Sequence, residues 1–358
     1  MSNISTAHTQ WKTRPYDERF ISLTDMNQYL QEVREQSHVE VVSTKNMRIV
    51  ANDHNLSVIG ATGQASVMTN WSFGQLAMQA SAPASYLRGL NAELAADCLN
   101  HGLLRGDGRV GALFSTNKGQ QVLRALTGPK YGRIWNSVIA QALIDRFGDG
   151  LNGQFRVPGS FGQQVAITKT NTTLYASDRD MFVFLADETN KIEVPDRRSG
   201  QPGFLSRGFF VWNSEVGASC FGVGTFLFDY VCENRIIWGA SEYRELRLRH
   251  TAKAPERWLD EISPMMKKYA ESSSISISQT IAAAQKAKVE VDLFLKNRQF
   301  SERQVALIKE RHLIDEQRPM ESLWDVAVGI TALARDLGYQ DDRIGLERKA
   351  GQILDVAM

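Results

Sequence analysis

The spacing of apolar positions changes character several times along the chain. Met26, Tyr29, Leu30 and Val33 recur at helical intervals and predict a helix over 25–34. The pattern then switches to alternation at 38–43, 47–51 and 56–60, with turn residues at Lys45-Asn46 and 52–55, which predicts a small antiparallel meander. Over 71–101 the helical period returns: 72–80 reads as one helix, Pro83 opens the next, and Glu93 to Leu99 continue helical. Val110–Ser115 and Gln121–Leu126 flank Asn117-Lys118-Gly119, a hairpin signal, and 138–147 is helical again.

The middle of the chain, 155–250, reads mostly as strand, with paired runs around 177–180 and around 213–217. Between them, the polar stretch Glu193–Gly203 predicts an exposed loop. Past Pro255 prolines and glycines thin out and the helical period dominates, with Leu323, Val326, Ala327, Ile330, Leu333, Ala334 and Leu337 on one stripe and a break at Ser272–Ser278. The expected fold is α+β: an antiparallel central sheet with hairpins, flanking helices and a helical C-terminal region. Its divisions are a mobile N-terminal arm at 1–20, an α+β core at 21–254 and a helical region at 255–358.

Composition narrows the function classes. The chain has 358 residues, 43% hydrophobic and 23% charged, ordinary proportions for a folded protein of one or two domains. The N-terminus lacks the apolar core of a signal peptide, and no stretch approaches the roughly 20 apolar residues of a membrane helix. A cytoplasmic protein without membrane association is expected. Cys98, Cys220 and Cys232 are too few and too scattered for a disulfide framework or zinc site, so buried thiols are expected. GxxxxGK[ST], GxGxxG, GxSxG and HExxH are all missing, which disfavours a nucleotide-driven machine or a familiar hydrolase and leaves no cofactor to expect. Acidic pairs such as Asp315-Glu316 and Asp341-Asp342 read as solvated surface.

Charge is informative only locally. The net charge is +1, yet Arg105, Arg109, Lys118, Arg124, Lys130 and Arg133 stand against the single acid Asp107 between 105 and 133. Tyr131 and Trp135 interleave with these cations. Cations track phosphates and aromatic faces stack on unpaired bases, so the combination fits single-stranded nucleic acid. The alternative is that both rings anchor the core while the cations form a scattered solvated face. A second group, Arg244, Arg247, Arg249 and Lys253, includes two arginines that share one face of a predicted strand, with Leu246, Leu248 and His250 on the other. These form a phosphate track, or pair with Glu242 and Glu245. The helices around Phe73–Leu87 vaguely resemble a helix-turn-helix, but Arg88 alone gives no base-reading surface, and a structural helical hairpin is preferred. Asn213-Ser214-Glu215-Val216-Gly217 reads as a β-turn fixing a register, or as a polar cluster of Asn213, Ser214 and Glu215 beside Cys232 and Asn234.

Three stretches together carry a family resemblance. They are Leu123–Asn136 (LRALTGPKYGRIWN), Gly208–Ala218 (GFFVWNSEVGA) with Asp229–Ile237 (DYVCENRII), and Ser322–Arg335 (SLWDVAVGITALAR). In this order and spacing the chain resembles the phage/plasmid-like proteins of the domain of unknown function 932, over residues 70–355. Arg235 departs from the pattern, since such proteins commonly have glycine there. The resemblance implies a phage, prophage or plasmid setting and imports no mechanism. Together with the cations, it leads to the expectation of an ATP-independent protein that binds single-stranded DNA or RNA in recombination or replication, with strand annealing as one such role, and that works as a homo-oligomer. The alternative is a host-interaction or counter-defence protein acting through protein contacts.

Overall fold

Two sheets and a set of C-terminal helices organise the chain; the computed structural model describes residues 14–52, 55–60, 63–106, 108–117, 119–158, 166–229, 234–236, 246–271, 275–336 and 340–357. β1 (Arg19–Phe20) and α1 (Leu23–Glu35) come first. Ser22 caps α1, its hydroxyl accepting from the Asp25 N–H at 3.0 Å, which satisfies one of the free donors at a helix start. A six-stranded sheet follows from β2 (Ser37–Ser43), β3 (Arg48–Asn52), β4 (Asn55–Ile59), β5 (Ala65–Met68), β6 (Arg109–Asn117) and β7 (Gln120–Thr127), in the order β2-β6-β7-β5-β4-β3. Helices α2 (Asn70–Gln79), α3 (Ala84–Leu87) and α4 (Ala92–Arg105) are inserted between β5 and β6.

The pairing in this sheet differs from the expected meander. The meander does not close: β3 pairs with β4, but β2 pairs with β6, Val39 opposite Leu113, because a 3-10 turn at Thr44–Asn46 leads the chain away. Nor is it wholly antiparallel. The helical insertion returns the chain so that β5 and β7 run parallel, Val67 opposite Val122, as a crossover connection allows. The helix-turn-helix alternative also falls away, since α3 is a single turn and α4 packs on β3, the Asn100 amide bonding both the N–H and the C=O of Ile49 at 2.8 Å.

The second sheet is antiparallel. β8 (Phe155–Arg156), β9 (Leu174–Ala176), β10 (Met181–Asp187), β11 (Ile192–Val194), β12 (Gly203–Asn213), β13 (Phe221–Asp229), β14 (Asn234–Ile236) and β15 (Leu246–Leu248) join β1, along the path β1-β9-β10-β12-β13-β14. One face, with Val183, Leu185, Phe209, Val211 and Phe221, is covered by α1, by α5 (Asn136–Phe147) and by Trp258, Ile262 and Met266. Arg235 lies in β14 opposite Phe228, so its backbone is extended and needs no glycine. Of the stretch expected to be an arm, 14–20 is tied down: Arg14 pairs with Asp180 at 2.6 Å and Phe20 lies opposite Leu174. Residues 1–13 lie outside the described residues.

Past residue 254 the chain is helical, as expected, but it serves two cores. Trp258 to Tyr269, which follow α6 (Ala254–Arg257) and run into α7 (Ser263–Glu271), join the first, while α8 (Ile275–Lys286), α9 (Val291–Asn297), α10 (Glu302–Glu316), α11 (Leu323–Arg335) and α12 (Gln340–Leu354) pack on β11 and the neighbouring ends of β12 and β13. The stripe on α11 is buried from Leu323 to Ala334, and Leu337 lies outside the described residues. The Glu193–Gly203 stretch is mostly exposed, as expected, but it is not wholly solvated. It contributes β11 and buries Arg197 completely, with Nε 2.9 and 3.0 Å from the two Glu316 oxygens and Nη2 2.8 Å from Asp229. Glu316 therefore leaves the solvated surface assigned to the Asp315-Glu316 pair, because a buried guanidinium requires carboxylate partners. Cys98 and Cys220 are half-buried rather than buried and form no disulfide; Cys232 lies outside the described residues. No helix among the described residues is long and apolar enough to cross a membrane.

Candidate nucleic-acid interface

The end of β12 and the turn that follows carry Asn213, Ser214 and Glu215, all buried, and most of their polar groups bond to the chain itself. The Asn213 amide donates to the Ile134 carbonyl at 2.8 Å and to Asn136 Oδ1 at 2.7 Å. Ser214 Oγ donates to the Arg179 carbonyl at 2.7 Å and accepts from the Ala218 N–H at 2.9 Å. Glu215 takes Arg124 on one oxygen at 3.0 Å and the Asn136 N–H, at the start of α5, on the other at 2.8 Å. The Val216 carbonyl accepts from Trp71 Nε1 at 2.9 Å and Gln75 Nε2 at 2.8 Å. Gly217 sits at φ +82 against Gln75, Thr127 and Tyr131, a conformation that glycine adopts without strain. The turn thus ties the two sheets together. Asn234 is not part of it: it lies opposite Asp229, whose β12 neighbour is Leu205, eight positions or roughly 26 Å along the strand from Asn213.

The cations divide into two groups. Arg124 is buried, held by Glu215 and by Ser37 Oγ at 3.2 Å, and cannot meet a phosphate. Arg105, Arg109, Lys130, Arg247, Arg249 and Lys253 are exposed. Lys118 and Arg244, with Glu242 and Glu245, lie outside the described residues. A chain of contacts connects most of the exposed group. The register that pairs Gly111 with Thr127 brings Arg109 toward the Gly128-Pro129-Lys130 loop. That loop docks on the segment after β15: the Gly132 N–H donates to the His250 carbonyl at 3.1 Å. A Cβ at Gly132 would stand 1.8 Å from the Thr251 oxygen, so only glycine allows this approach. Lys130 is thereby placed beside the Arg249–Lys253 segment. Lys45, exposed and next to Thr44, whose N–H bonds the Gly108 carbonyl at 3.1 Å, was not anticipated from the sequence.

The two rings expected to stack on bases are engaged internally. Tyr131 lies on His250 with centroids 4.7 Å apart, and its hydroxyl donates to the Ser214 carbonyl at 2.9 Å. Arg133 lies between Tyr131 and Trp135, 5.2 and 5.8 Å from their centroids, and Arg34 covers Trp135 at 5.6 Å. His250, Tyr131, Arg133, Trp135 and Arg34 therefore form one continuous stack of rings and cations. Burial, opposed by the hydrogen bond to the Gly132 carbonyl and aided by Arg133, holds the His250 imidazole below its ordinary pKa. The unfolded chain then takes up the proton first as pH falls. Stability from this site is intact above about pH 6.5 and is lost as pH drops toward the folded-state value. Urea midpoints at about pH 7.5 and about pH 5.5 should fall less in His250→Gln than in the parent; equal falls would remove His250 as the cause.

Beside the cationic loop is a cleft of about 740 Å³ between α2 and the Ser177–Asp180 turn. Trp71, Gln75, Met78, Arg88, Gly128 and Arg179 are among its lining residues, and Gly128 is shared with the loop that carries Lys130. The exposed Arg179 guanidinium lies 4.5 Å from the centre of the Trp71 ring. Arg88 is pinned to Asn70 Oδ1 at 2.7 Å and covers Phe73 at 4.9 Å. None of these was legible as a site, because Trp71, Arg88 and Arg179 come from separate elements and no local spacing links them. No protein-family model, no curated protein and no solved structure matches this chain.

Proposed function

We propose that this chain binds single-stranded nucleic acid without nucleotide hydrolysis, in the recombination or replication of a phage or plasmid, and that it works as a homo-oligomer. The observation that carries the reading is the docking of Gly132 on His250 and Thr251, which brings the loop of Lys130 to the segment that holds Arg249 and Lys253. In a molecule of net charge +1, such a grouping concentrates positive potential at one place. The resemblance to the phage/plasmid-like family of the domain of unknown function 932 supplies the setting. Phosphate contacts release counterions, so affinity should fall steeply with salt.

Fluorescence anisotropy with a labelled oligonucleotide at two salt concentrations tests this. The parent should bind more weakly at the higher salt, and Lys130→Glu/Arg249→Glu should weaken binding by on the order of tenfold or more. Absent or salt-independent binding ends the reading. Contact with a host protein is the competing reading, supported by Met78, Tyr86 and Leu104, which are 72%, 64% and 64% exposed on the helical insertion. Capture of a host protein that survives nuclease treatment, together with absent oligonucleotide binding, would favour it.

A further inference from the structure

The Trp71–Arg179 pair has the features of a prepared surface rather than of a structural ion pair. Trp71 is fixed in orientation, because its indole N–H is committed to the Val216 carbonyl at 2.9 Å and its helix is capped by Thr69, which accepts from the Ser72 N–H at 3.1 Å. The backbone of Arg179 is equally fixed: its N–H donates to Ser177 Oγ at 3.1 Å and its carbonyl accepts from Ser214 Oγ at 2.7 Å. Both ends of the stack are thus anchored to the buried 213–217 turn or its partners.

The guanidinium itself is uncommitted. Two carboxylates flank it in sequence, yet its side chain makes no hydrogen bond or ion pair among the described residues. Asp180 is turned to Arg14 at 2.6 Å and Asp178 is exposed on the cleft wall. An arginine held over an indole at 4.5 Å, at the wall of a cleft, can offer its planar surface and N–H donors to a ligand there. Space for a ligand exists on that side. A Cβ built at Gly74 or at Gly128, both in the cleft wall, meets nothing within 4 Å. The cleft volume of about 740 Å³ is in the range of sites that take one small ring-bearing ligand.

We propose that the Arg179 guanidinium, backed by Trp71, is the platform on which one unpaired base of a bound strand stacks. The proposal rests on the single-strand reading above and moves the stacking role away from Tyr131 and Trp135, whose faces are occupied. Planar guanidinium and aromatic groups stack on any base, so the contact is tolerant of sequence. Gly128 leads within two residues to Lys130, so the neighbouring phosphates of the same strand pass onto the cationic loop. Arg88, held at Asn70 next to Trp71, adds a second cation to the cleft lining. In a duplex both faces of each base are covered by neighbours, and the platform is then of no use. Single strands are therefore preferred.

An oligothymidylate of about 20 nucleotides, carrying one 2-aminopurine near its middle, reports both steps. Anisotropy measures binding, and 2-aminopurine emission measures stacking. In the parent, emission should be quenched on saturation, and a duplex of the same length should bind at least roughly tenfold more weakly. Arg179→Ala should weaken binding roughly tenfold and restore emission at saturation, while Arg179→Lys, which keeps the charge but lacks the plane, should also fail to quench. Unchanged thermal melting of both variants separates lost stacking from lost folding. Salt-dependent binding by the parent with quenching unaltered in Arg179→Ala overturns the platform and leaves the single-strand reading standing. Absence of any parent binding overturns both.

Discussion

Glu215→Ala should lower the stability of this protein by about 3–5 kcal/mol, read as a shift of the urea midpoint at constant slope. The carboxylate is 3% exposed and does two things at once. It neutralises Arg124, itself 5% exposed, and it accepts the N–H of Asn136 at the start of α5. That helix has no capping side chain of its own, since its flanking residue is Trp135, so Glu215 supplies from a distant turn what Ser22 supplies to α1 from within. Truncation would leave a guanidinium inside the protein without a counter-charge. Glu215→Gln preserves the acceptor for Asn136 but not the charge, and should fall between the parent and alanine. Arg124→Met/Glu215→Leu removes both ions and should recover most of the loss, because a buried pair is stabilising mainly relative to its broken forms. A loss below about 0.5 kcal/mol for Glu215→Ala would show that the tie between the sheets is weak.

Arg197→Met should have an effect of similar size, again about 3–5 kcal/mol, and a different footprint. The arginine joins Asp229 on β13 to Glu316 at the end of α10 and lies 5.3 Å from the centre of the Trp324 ring on α11. Methionine fills most of the space but leaves two carboxylates facing one another out of water. Arg318 is no substitute, since it is held on Asp325 at 2.5 Å. Loosening should concentrate where the C-terminal helices meet the sheet, so hydrogen exchange should quicken in α10 and α11 before it does in β6 and β7. Arg197→Lys keeps the charge but lacks the two-pronged geometry that spans both Glu316 oxygens, and should lose part of the stability. Uniform exchange across the molecule would argue against a local lock.

Much of the fold was legible because periodicity reports on neighbours in sequence. α1, the β6–β7 hairpin and the stripe on α11 follow from spacing and turn residues alone. What spacing does not carry is which distant strand lies alongside. β2 pairs with β6 across the whole helical insertion, and β5 meets β7 in parallel, because those choices depend on how the insertion packs. The cation at 124 was misread for a related reason. β7 is buried on both faces from Leu123 to Thr127, so alternation there does not separate inside from outside, and a register shift at Leu113/Phe114 disturbs its partner strand. Arg197 was missed because a loop rich in charge and glycine looks solvated until its carboxylate partners arrive from 32 and 119 residues away. At the interface, the grouping of Lys130 with Tyr131 and Arg133 was visible locally, whereas the occupants of the ring faces, His250 and Arg34, were not.

The knot around residues 213–217 also bears on how the chain comes to be folded during synthesis. Its partners at 71, 75, 124, 131, 136 and 179 all leave the ribosome before the segment that completes them. Until Glu215 emerges, Arg124 has no carboxylate to meet inside the first sheet, and α5 begins without an acceptor for its leading amide. The N-terminal sheet is therefore expected to stay loosely assembled on nascent chains and to tighten in one late step, since contacts of such long sequence separation form only once the intervening segment has closed on itself.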